Sequence, residues 1–121
     1  MAQKILIIDD EPRNVFALTA TLRSRGYDCI SASSAKQGLA LLNSDHSIGI
    51  VLIDMMMPEM DGYEAIPLIR NIRIGKDLLI VAVTAQAMTG DREKCLLAGA
   101  HEYISKPINV DLLFDLLQQH I

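Results

Sequence analysis

The chain has 121 residues, of which 50% are hydrophobic and 21% charged, a composition that suits one globular domain and leaves too little length for two. Its net charge of −4 argues against nucleic acid as the main partner, and no apolar run approaches the roughly 18 residues of a membrane span. The apolar stretch near the N-terminus is too short for a signal peptide, and two distant cysteines without a CxxC spacing are typical of thiols in a reducing cytosol. We therefore expect a cytoplasmic domain with no membrane and no nucleic-acid partner.

Five short apolar runs predict the strands. They lie at residues 5–8, 28–32, 50–53, 78–83 and 102–105. The first, third and fourth runs are apolar almost without interruption, which is typical of parallel strands covered on both faces. Between the runs apolar residues recur at helical spacing, as at Val15, Leu18 and Leu22. Strand and helix alternate five times, which predicts a doubly wound α/β sandwich.

Capping residues and glycines mark the predicted helix boundaries. Pro12 suits the first position of the first helix, Ser34 with Gln37 forms a capping-box pattern, and Asn109 is a suitable cap for the last helix. Helices should stop at Gly26, Gly75 and Gly99. Pro67 falls inside the third helix, where it is tolerated near the first turn and kinks the helix if it lies deeper.

Polar side chains follow the strands at one edge of the predicted sheet. The first strand delivers Asp9 and Asp10, the third Asp54, the fourth Thr84 and the fifth Lys106. Ligands of open parallel sheets bind beyond the carboxyl ends of the strands, so these five groups should share one site. Two like charges 4 Å apart repel by roughly 4 kcal/mol at an effective dielectric of 20. Three acids beside a single lysine therefore call for a divalent cation.

The donor set predicts the cation and the chemistry. Oxygen ligands without His or Cys favour a hard ion, Mg²⁺ first and Mn²⁺ or Ca²⁺ next, and Mg²⁺ commonly shares phosphate oxygens. Asp54 stands alone on a central strand and is the best candidate for a nucleophile that forms an acyl phosphate. Asp9 and Asp10 would hold the metal, while Lys106 and Thr84 would contact phosphate oxygens.

Each of these residues also has a structural interpretation. A single Asp at a strand end is more often a cap or turn residue, Asp9 and Asp10 suit the start of a helix, and Thr84 is an ordinary strand residue. Only the combination favours a functional site. The methionines are expected to pack in the loop and the histidines to lie on the surface, namely Met55, Met56, Met57 and Met60 and His46, His101 and His120. Asp61-Gly62 is expected to form a turn.

Four segments resemble the receiver domain of two-component response regulators. They are "ILIIDDEP" at the start, "VLIDMMMPEMDG" in the middle, "VAVTAQA" around Thr84 and "YISKPI" near the end. Asp54, Thr84 and Lys106 also follow the order and separations of that family, and the resemblance covers residues 1–121 as one receiver domain. It implies a five-stranded, flavodoxin-like (βα)5 fold with strand order 2-1-3-4-5.

The resemblance also implies roles for individual residues. Asp54 would accept a phosphoryl group from a phosphohistidine of a histidine kinase or histidine phosphotransfer protein. Mg²⁺ would be held by Asp10 and Asp54 directly, by Asp9 through water and by the backbone carbonyl of Met56. Such a domain catalyses its own phosphorylation and dephosphorylation, yet is primarily a signalling domain.

Further implications concern the response to phosphorylation. Thr84 and Lys106 would contact the phosphoryl group, and Tyr103 would move inward with Thr84. That movement would alter the face formed by the fourth helix, fifth strand and fifth helix, which would bind a downstream protein. The Lys106–Pro107 bond would be cis, and Gln86, with Met56, would tune the lifetime of the phosphoryl group.

Other functions remain open from the sequence. A haloacid-dehalogenase-like phosphohydrolase shares the strand-end Asp, the metal and the Lys, but wants an acid where Met56 stands. A binding-only, receiver-like module usually lacks one of the acids or the Lys. A flavodoxin-like nucleotide-binding domain would need a Gly-rich phosphate loop after the first strand. A standalone regulator and a domain of a longer protein also both remain open.

Overall fold

The computed structural model describes residues 4–72, 78–85 and 90–120, and within them five strands alternate with five helices. The strands are β1 (Lys4–Ile8), β2 (Cys29–Ala32), β3 (Ile48–Asp54), β4 (Leu79–Thr84) and β5 (Glu102–Ser105). The helices are α1 (Pro12–Ser24), α2 (Ala35–Ser44), α3 (Gly62–Ile72), α4 (Asp91–Ala98) and α5 (Val110–His120). All strands pair in parallel in one sheet of order β2-β1-β3-β4-β5. The predicted doubly wound, flavodoxin-like fold and its strand order are confirmed.

The central strands are apolar throughout because helices cover both of their faces. Side chains alternate across β1: Leu6 and Ile8 join a core cluster with α2, α3 and α4, whereas Ile5 and Ile7 join a second cluster with α1 and α5. Strands β3 and β4 are buried at every position. Burying one such side chain contributes about 1.5–3 kcal/mol. The buried sheet therefore provides a stable support for the side chains that lie at its carboxyl edge.

Three predicted helix starts are present, one with a change of detail. Pro12 is the first residue of α1. Ser34 Oγ accepts the Gln37 N–H at 3.1 Å, but Gln37 Oε1 accepts the N–H of Ser33, at 2.8 Å, rather than that of Ser34. Asn109 Oδ1 accepts the N–H three residues further on at 3.1 Å. These side chains satisfy N–H groups that a helix start otherwise leaves without a partner.

The third helix begins differently from the expectation. Asp61 Oδ1 accepts the Glu64 N–H at 2.9 Å, and Glu64 Oε1 accepts the Asp61 N–H at 3.4 Å. Asp61-Gly62 is thus the capped start of α3 and not a separate turn. Pro67 lies beyond the first turn of α3, which nevertheless continues to Ile72.

The described glycines behave as predicted at the helix ends. Gly26 and Gly99 have φ of 86° and 120°, a region that favours glycine, and each follows a helix. Gly75 lies outside the described residues.

Several smaller expectations also have an outcome. Cys29 and Cys95 are free, buried thiols, and the Lys106–Pro107 bond is cis. Across the described ranges, the helices are all too short or too polar to cross a membrane.

Candidate active site at the carboxyl edge of the sheet

The neighbouring strands β1 and β3 place two carboxylates side by side. Ile8 is in register with Ile53, so the residues that follow, Asp9 and Asp54, lie next to each other at the edge of the sheet. Both are 6% exposed, whereas Asp10 is exposed. One carboxylate oxygen from each of the three acids lies within 4.8 Å of the other two. The predicted cluster of acids is therefore present.

Lys106 approaches the same two carboxylates from β5, the outermost strand of the sheet. It follows β5, and its Nζ lies 3.3 Å from Asp54 Oδ2 and 3.5 Å from Asp9 Oδ2. One ammonium group thus faces two buried carboxylates while the third, on Asp10, is left to solvent. The pocket carries an excess of negative charge, as the sequence predicted.

Backbone N–H groups fix the orientation of the two buried carboxylates. Asp9 Oδ1 accepts the Glu11 N–H at 2.9 Å, and Asp54 Oδ1 accepts the Met56 N–H at 3.0 Å. In each acid one oxygen is held by the local backbone and the other points toward Lys106. Such turns are a common use of Asp where a strand ends.

The electrostatic environment of Asp54 combines opposing effects. Burial raises the pKa of its carboxyl group, and the nearby charge of Asp9 acts in the same direction. The Met56 N–H and the Lys106 ammonium act against them. The net direction is upward, so the protein holds a carboxylate whose charge is only partly compensated by its own residues.

Thr84 lies on β4, the strand next to β3, and Tyr103 lies on β5, the outermost strand on that side of the sheet. Thr84 ends β4 and is 2% exposed, and its carbonyl accepts the Lys106 N–H at 2.7 Å. Tyr103 on β5 pairs with Ala82 and is partly buried against the cluster that includes α4. Gln86 lies outside the described residues.

The loop that follows Asp54 contains a tight turn. Met55 is fully buried, whereas the side chain of Met56 is about half exposed. Met60 donates its N–H to the Pro58 carbonyl at 2.8 Å, and Glu59 between them has φ of 68°. This is a γ-turn, a strained conformation for a residue other than glycine.

Two features of the site were missed from the sequence. Phe16 on α1 is 78% exposed and lines a shallow cleft with Asp9 and Asp10. Its position was implied, because a helix that packs Val15 and Leu18 against the core turns Phe16, one of the two residues between them, outward. The strained φ of Glu59 had no sequence signal, since a Glu gives no indication of a left-handed conformation.

The histidines lie apart from this site. His46 and His101 are on the surface, as expected, although His101 Nδ1 also accepts the Ile80 N–H at 3.1 Å. Of the His120 side chain the structure gives no description.

Three acids and a lysine at the carboxyl edge of a flavodoxin-like sheet are the arrangement that the resemblance to phosphoryl-accepting receiver domains implied. A family model described as the response regulator receiver domain matches residues 5–118. The chain belongs to this family and is a receiver domain of the two-component type.

The chain is also similar to part of a much longer sensor histidine kinase. Sensor histidine kinase RcsC from Escherichia coli (strain K12) is 38% identical over 109 residues, which cover 90% of this chain and 11% of RcsC. The chain thus spans about a tenth of the length of this relative.

Solved structures extend the comparison to the site. The receiver domain of sensor histidine kinase PA1611 from Pseudomonas aeruginosa, with a magnesium ion coordinated in its active-site cleft, is 35% identical with a TM-score of 0.87, covering 98% of this chain and 97% of that one. The receiver domain of Ssk1 from Saccharomyces cerevisiae, crystallised with the histidine phosphotransfer protein Ypd1, has a TM-score of 0.88 at 24% identity, covering 98% of this chain and 88% of that one. The second likeness shows a shared fold.

Proposed function

We propose that Asp54 is the phosphoacceptor of this receiver. A carboxylate oxygen of Asp54 would attack the phosphorus of a phosphohistidine, the P–N bond would break, and the imidazole would leave with the electron pair and take up a proton. The product is an acyl phosphate on Asp54. The observation that carries the proposal is the position of Asp54, which is held rigidly at the end of β3 and faces Lys106 at 3.3 Å.

We place Mg²⁺ among Asp9, Asp10, Asp54 and the carbonyl of Met56. The support is the donor set, because three carboxylates within 4.8 Å offer only hard oxygen ligands. When bound, Mg²⁺ would neutralise the charge that the acids and the phosphoryl oxygens share. Mn²⁺ and Ca²⁺ also prefer oxygen donors and are the next candidates for this site.

Lys106 and Thr84 would contact the phosphoryl group. The Lys106 ammonium already lies beside Asp54, and Thr84 ends the neighbouring strand β4. A group that forms an ion pair with both Asp9 and Asp54 has to give up part of that contact when a phosphoryl group arrives. Its movement would be the first structural consequence of phosphorylation.

The partner that donates the phosphoryl group would be a histidine kinase or a histidine phosphotransfer protein in the cytoplasm. The free thiols of Cys29 and Cys95 suit a reducing compartment. A donor must cover the mouth of the site, where Phe16 exposes most of its ring. Exposed aromatic residues gain most from being covered, so Phe16 suits the donor interface.

The downstream target would bind the face formed by α4, β5 and α5. Leu97 on α4 is 87% exposed and Leu112 on α5 about half exposed, which is apolar surface that a partner could cover. Tyr103 on β5 lies between these helices and would change its position together with Thr84. We take residues 1–121 as a single receiver domain.

The decisive experiment is intact-protein mass after incubation with acetyl phosphate, with and without Mg²⁺. Wild type should gain one phosphoryl group only with Mg²⁺, and Asp54→Asn should gain none. Asp61→Asn is a matched control, because it makes the same change in the same loop and Asn caps a helix nearly as well as Asp. No gain in wild type while acetyl phosphate stays intact would favour a binding-only module or strict dependence on a protein donor, and no gain from a phosphorylated histidine phosphotransfer protein as well would reject the phosphoacceptor. Rapid consumption of acetyl phosphate without an adduct would favour a hydrolase.

A further inference from the structure

We infer that Gly62 is a positioning residue of the phosphoacceptor site, because its lack of a side chain lets the start of α3 pack on Met55 and hold the loop that orients Asp54. The inference rests on the proposed function of Asp54. It concerns how the chain itself prepares the site.

The contact between Gly62 and Met55 leaves no room for a side chain. A Cβ added at Gly62 would lie 2.9 Å from Met55 Cα and would overlap the Sδ of the same residue, whereas real Cβ contacts are essentially never under 3.0 Å. The Gly62 N–H also donates to the Met55 carbonyl at 3.2 Å. The backbone of Met55 cannot easily withdraw, since its own N–H donates to Val83 O at 2.9 Å and its side chain is fully buried.

Space, and not backbone conformation, is what Gly62 supplies. The glycines with positive φ among the described residues are Gly26, Gly90 and Gly99. Gly62 is the first residue of α3, and alanine is a better helix former than glycine, by up to about 1 kcal/mol in a helix interior. Helix propensity alone therefore predicts that Gly62→Ala stabilises the folded protein, whereas the packing predicts that it destabilises the fold. The two explanations give opposite results.

The loop from Met55 to Gly62 connects their contact to the side chain of Asp54. Met56 directly follows Met55, and its N–H is the group that holds Asp54 Oδ1 at 3.0 Å. Further along, Glu59 has the strained φ of 68°. A strained residue persists only where its surroundings fix it, and this loop is fixed at β3 and at Gly62. Pushing Gly62 away from Met55 should therefore displace Met56 and with it both the carboxylate and the carbonyl proposed for the metal.

The test compares Gly62→Ala with wild type by NMR of the backbone amides during titration with MgCl₂. The displaced Met56 N–H should change its chemical shift in the metal-free variant, and the affinity for Mg²⁺ should fall by at least about tenfold, as it does when groups that orient metal ligands are altered. Unchanged Mg²⁺ affinity with an unchanged Met56 amide would overturn the inference.

Two further variants separate positioning from general destabilisation. Leu117→Ala removes a fully buried side chain of α5 in the cluster on the other face of the sheet, so it should lower stability and leave Mg²⁺ affinity unchanged. Met55→Ala removes the Sδ and Cε atoms that an added Cβ would meet. The double variant Gly62→Ala/Met55→Ala should therefore regain part of the Mg²⁺ affinity, although Met55→Ala alone destabilises the fold. A double variant that binds more weakly than Gly62→Ala would contradict the proposed contact.

Failure of this inference differs from failure of the proposed function. If wild type binds Mg²⁺ but is never phosphorylated, the phosphoacceptor proposal fails while the titration still decides the role of Gly62. If wild type is phosphorylated and Gly62→Ala binds Mg²⁺ and reacts equally well, only the role of Gly62 is rejected.

Discussion

Replacing Asp54 by Asn should stabilise the metal-free protein while it removes the proposed phosphoacceptor. The oxygens of Asp9 and Asp54 lie within 4.8 Å, where two negative charges repel by about 3.5 kcal/mol at an effective dielectric of 20. Lys106 at 3.3 Å attracts Asp54 by about 5 kcal/mol on the same scale. Lys106 is shared with Asp9, and Asp10 adds a repulsion that solvent screens, so attraction and repulsion nearly cancel.

The cost of burying the carboxylate then decides the sign. Burial is the main reason that the pKa of Asp54 is raised, and a carboxyl group with a raised pKa contributes stability at low pH that is lost as the pH rises through that pKa. At neutral pH the charge of Asp54 therefore opposes folding. Asn has the same shape without the charge, and its Oδ1 can still accept the Met56 N–H. We therefore expect Asp54→Asn to raise Tm, and each 1 kcal/mol of added stability corresponds to about 4 °C in a domain of this size.

Thermal unfolding followed by circular dichroism at pH 7.5 measures this effect, first in EDTA and then with MgCl₂. Mg²⁺ at ten times its Kd stabilises a protein by about 1.4 kcal/mol, and only wild type should gain that much. Asp45→Asn is the control, because Asp45 pairs with Lys4 at 2.8 Å and is not a member of the acid cluster; this change should lower Tm. A lower Tm for Asp54→Asn than for wild type in EDTA would refute the charge argument.

Two more predictions concern coupling and partner choice. Lys106→Ala should still allow phosphorylation by acetyl phosphate but abolish the amide chemical-shift changes that it causes around Tyr103, and unaltered shifts would show that Lys106 does not relay the signal. Phe16→Ala should slow transfer from a phosphorylated histidine phosphotransfer protein by tenfold or more and leave the reaction with acetyl phosphate unchanged, since a small donor does not cover α1; a buried aromatic contact is commonly worth at least about 1.4 kcal/mol, or a factor of ten. Leu97→Ala, an equally exposed change on α4, should alter neither rate.

The sheet and the charged residues at its carboxyl edge were predictable because both depend on local sequence. Short apolar runs, almost unbroken in β1, β3 and β4, predicted the strands, and parallel pairing required that the residues after each run meet at one edge. Asp9, Asp54 and Lys106 meet there for that reason. Strand ends shifted by two residues at most, as when β3 begins at Ile48 rather than at residue 50.

The loop after Asp54 was less predictable because its conformation depends on contacts between distant residues. Nothing in a Glu residue indicates the left-handed φ of Glu59, and the pattern Asp61-Gly62 suits a turn as well as a capped helix. Glu64 three residues after Asp61 was the available signal for the cap. The close packing of Gly62 on Met55 becomes visible only when both elements are placed.

The arrangement of Lys106 explains how a change of charge at Asp54 would become a change of shape. Phosphorylation of a carboxylate adds about one negative charge and three acceptor oxygens, so the ammonium that now bridges Asp54 and Asp9 would be drawn toward the phosphoryl group. Its backbone N–H is bonded to Thr84 O at 2.7 Å, and Thr84 is in register with Ser105. The two residues proposed to contact the phosphoryl group are therefore linked through the backbone, and they cannot respond independently. Tyr103 lies two residues before Ser105 on the same short strand, which is why a movement at the acid pocket would reach the α4–β5–α5 face without a change in the sheet's core.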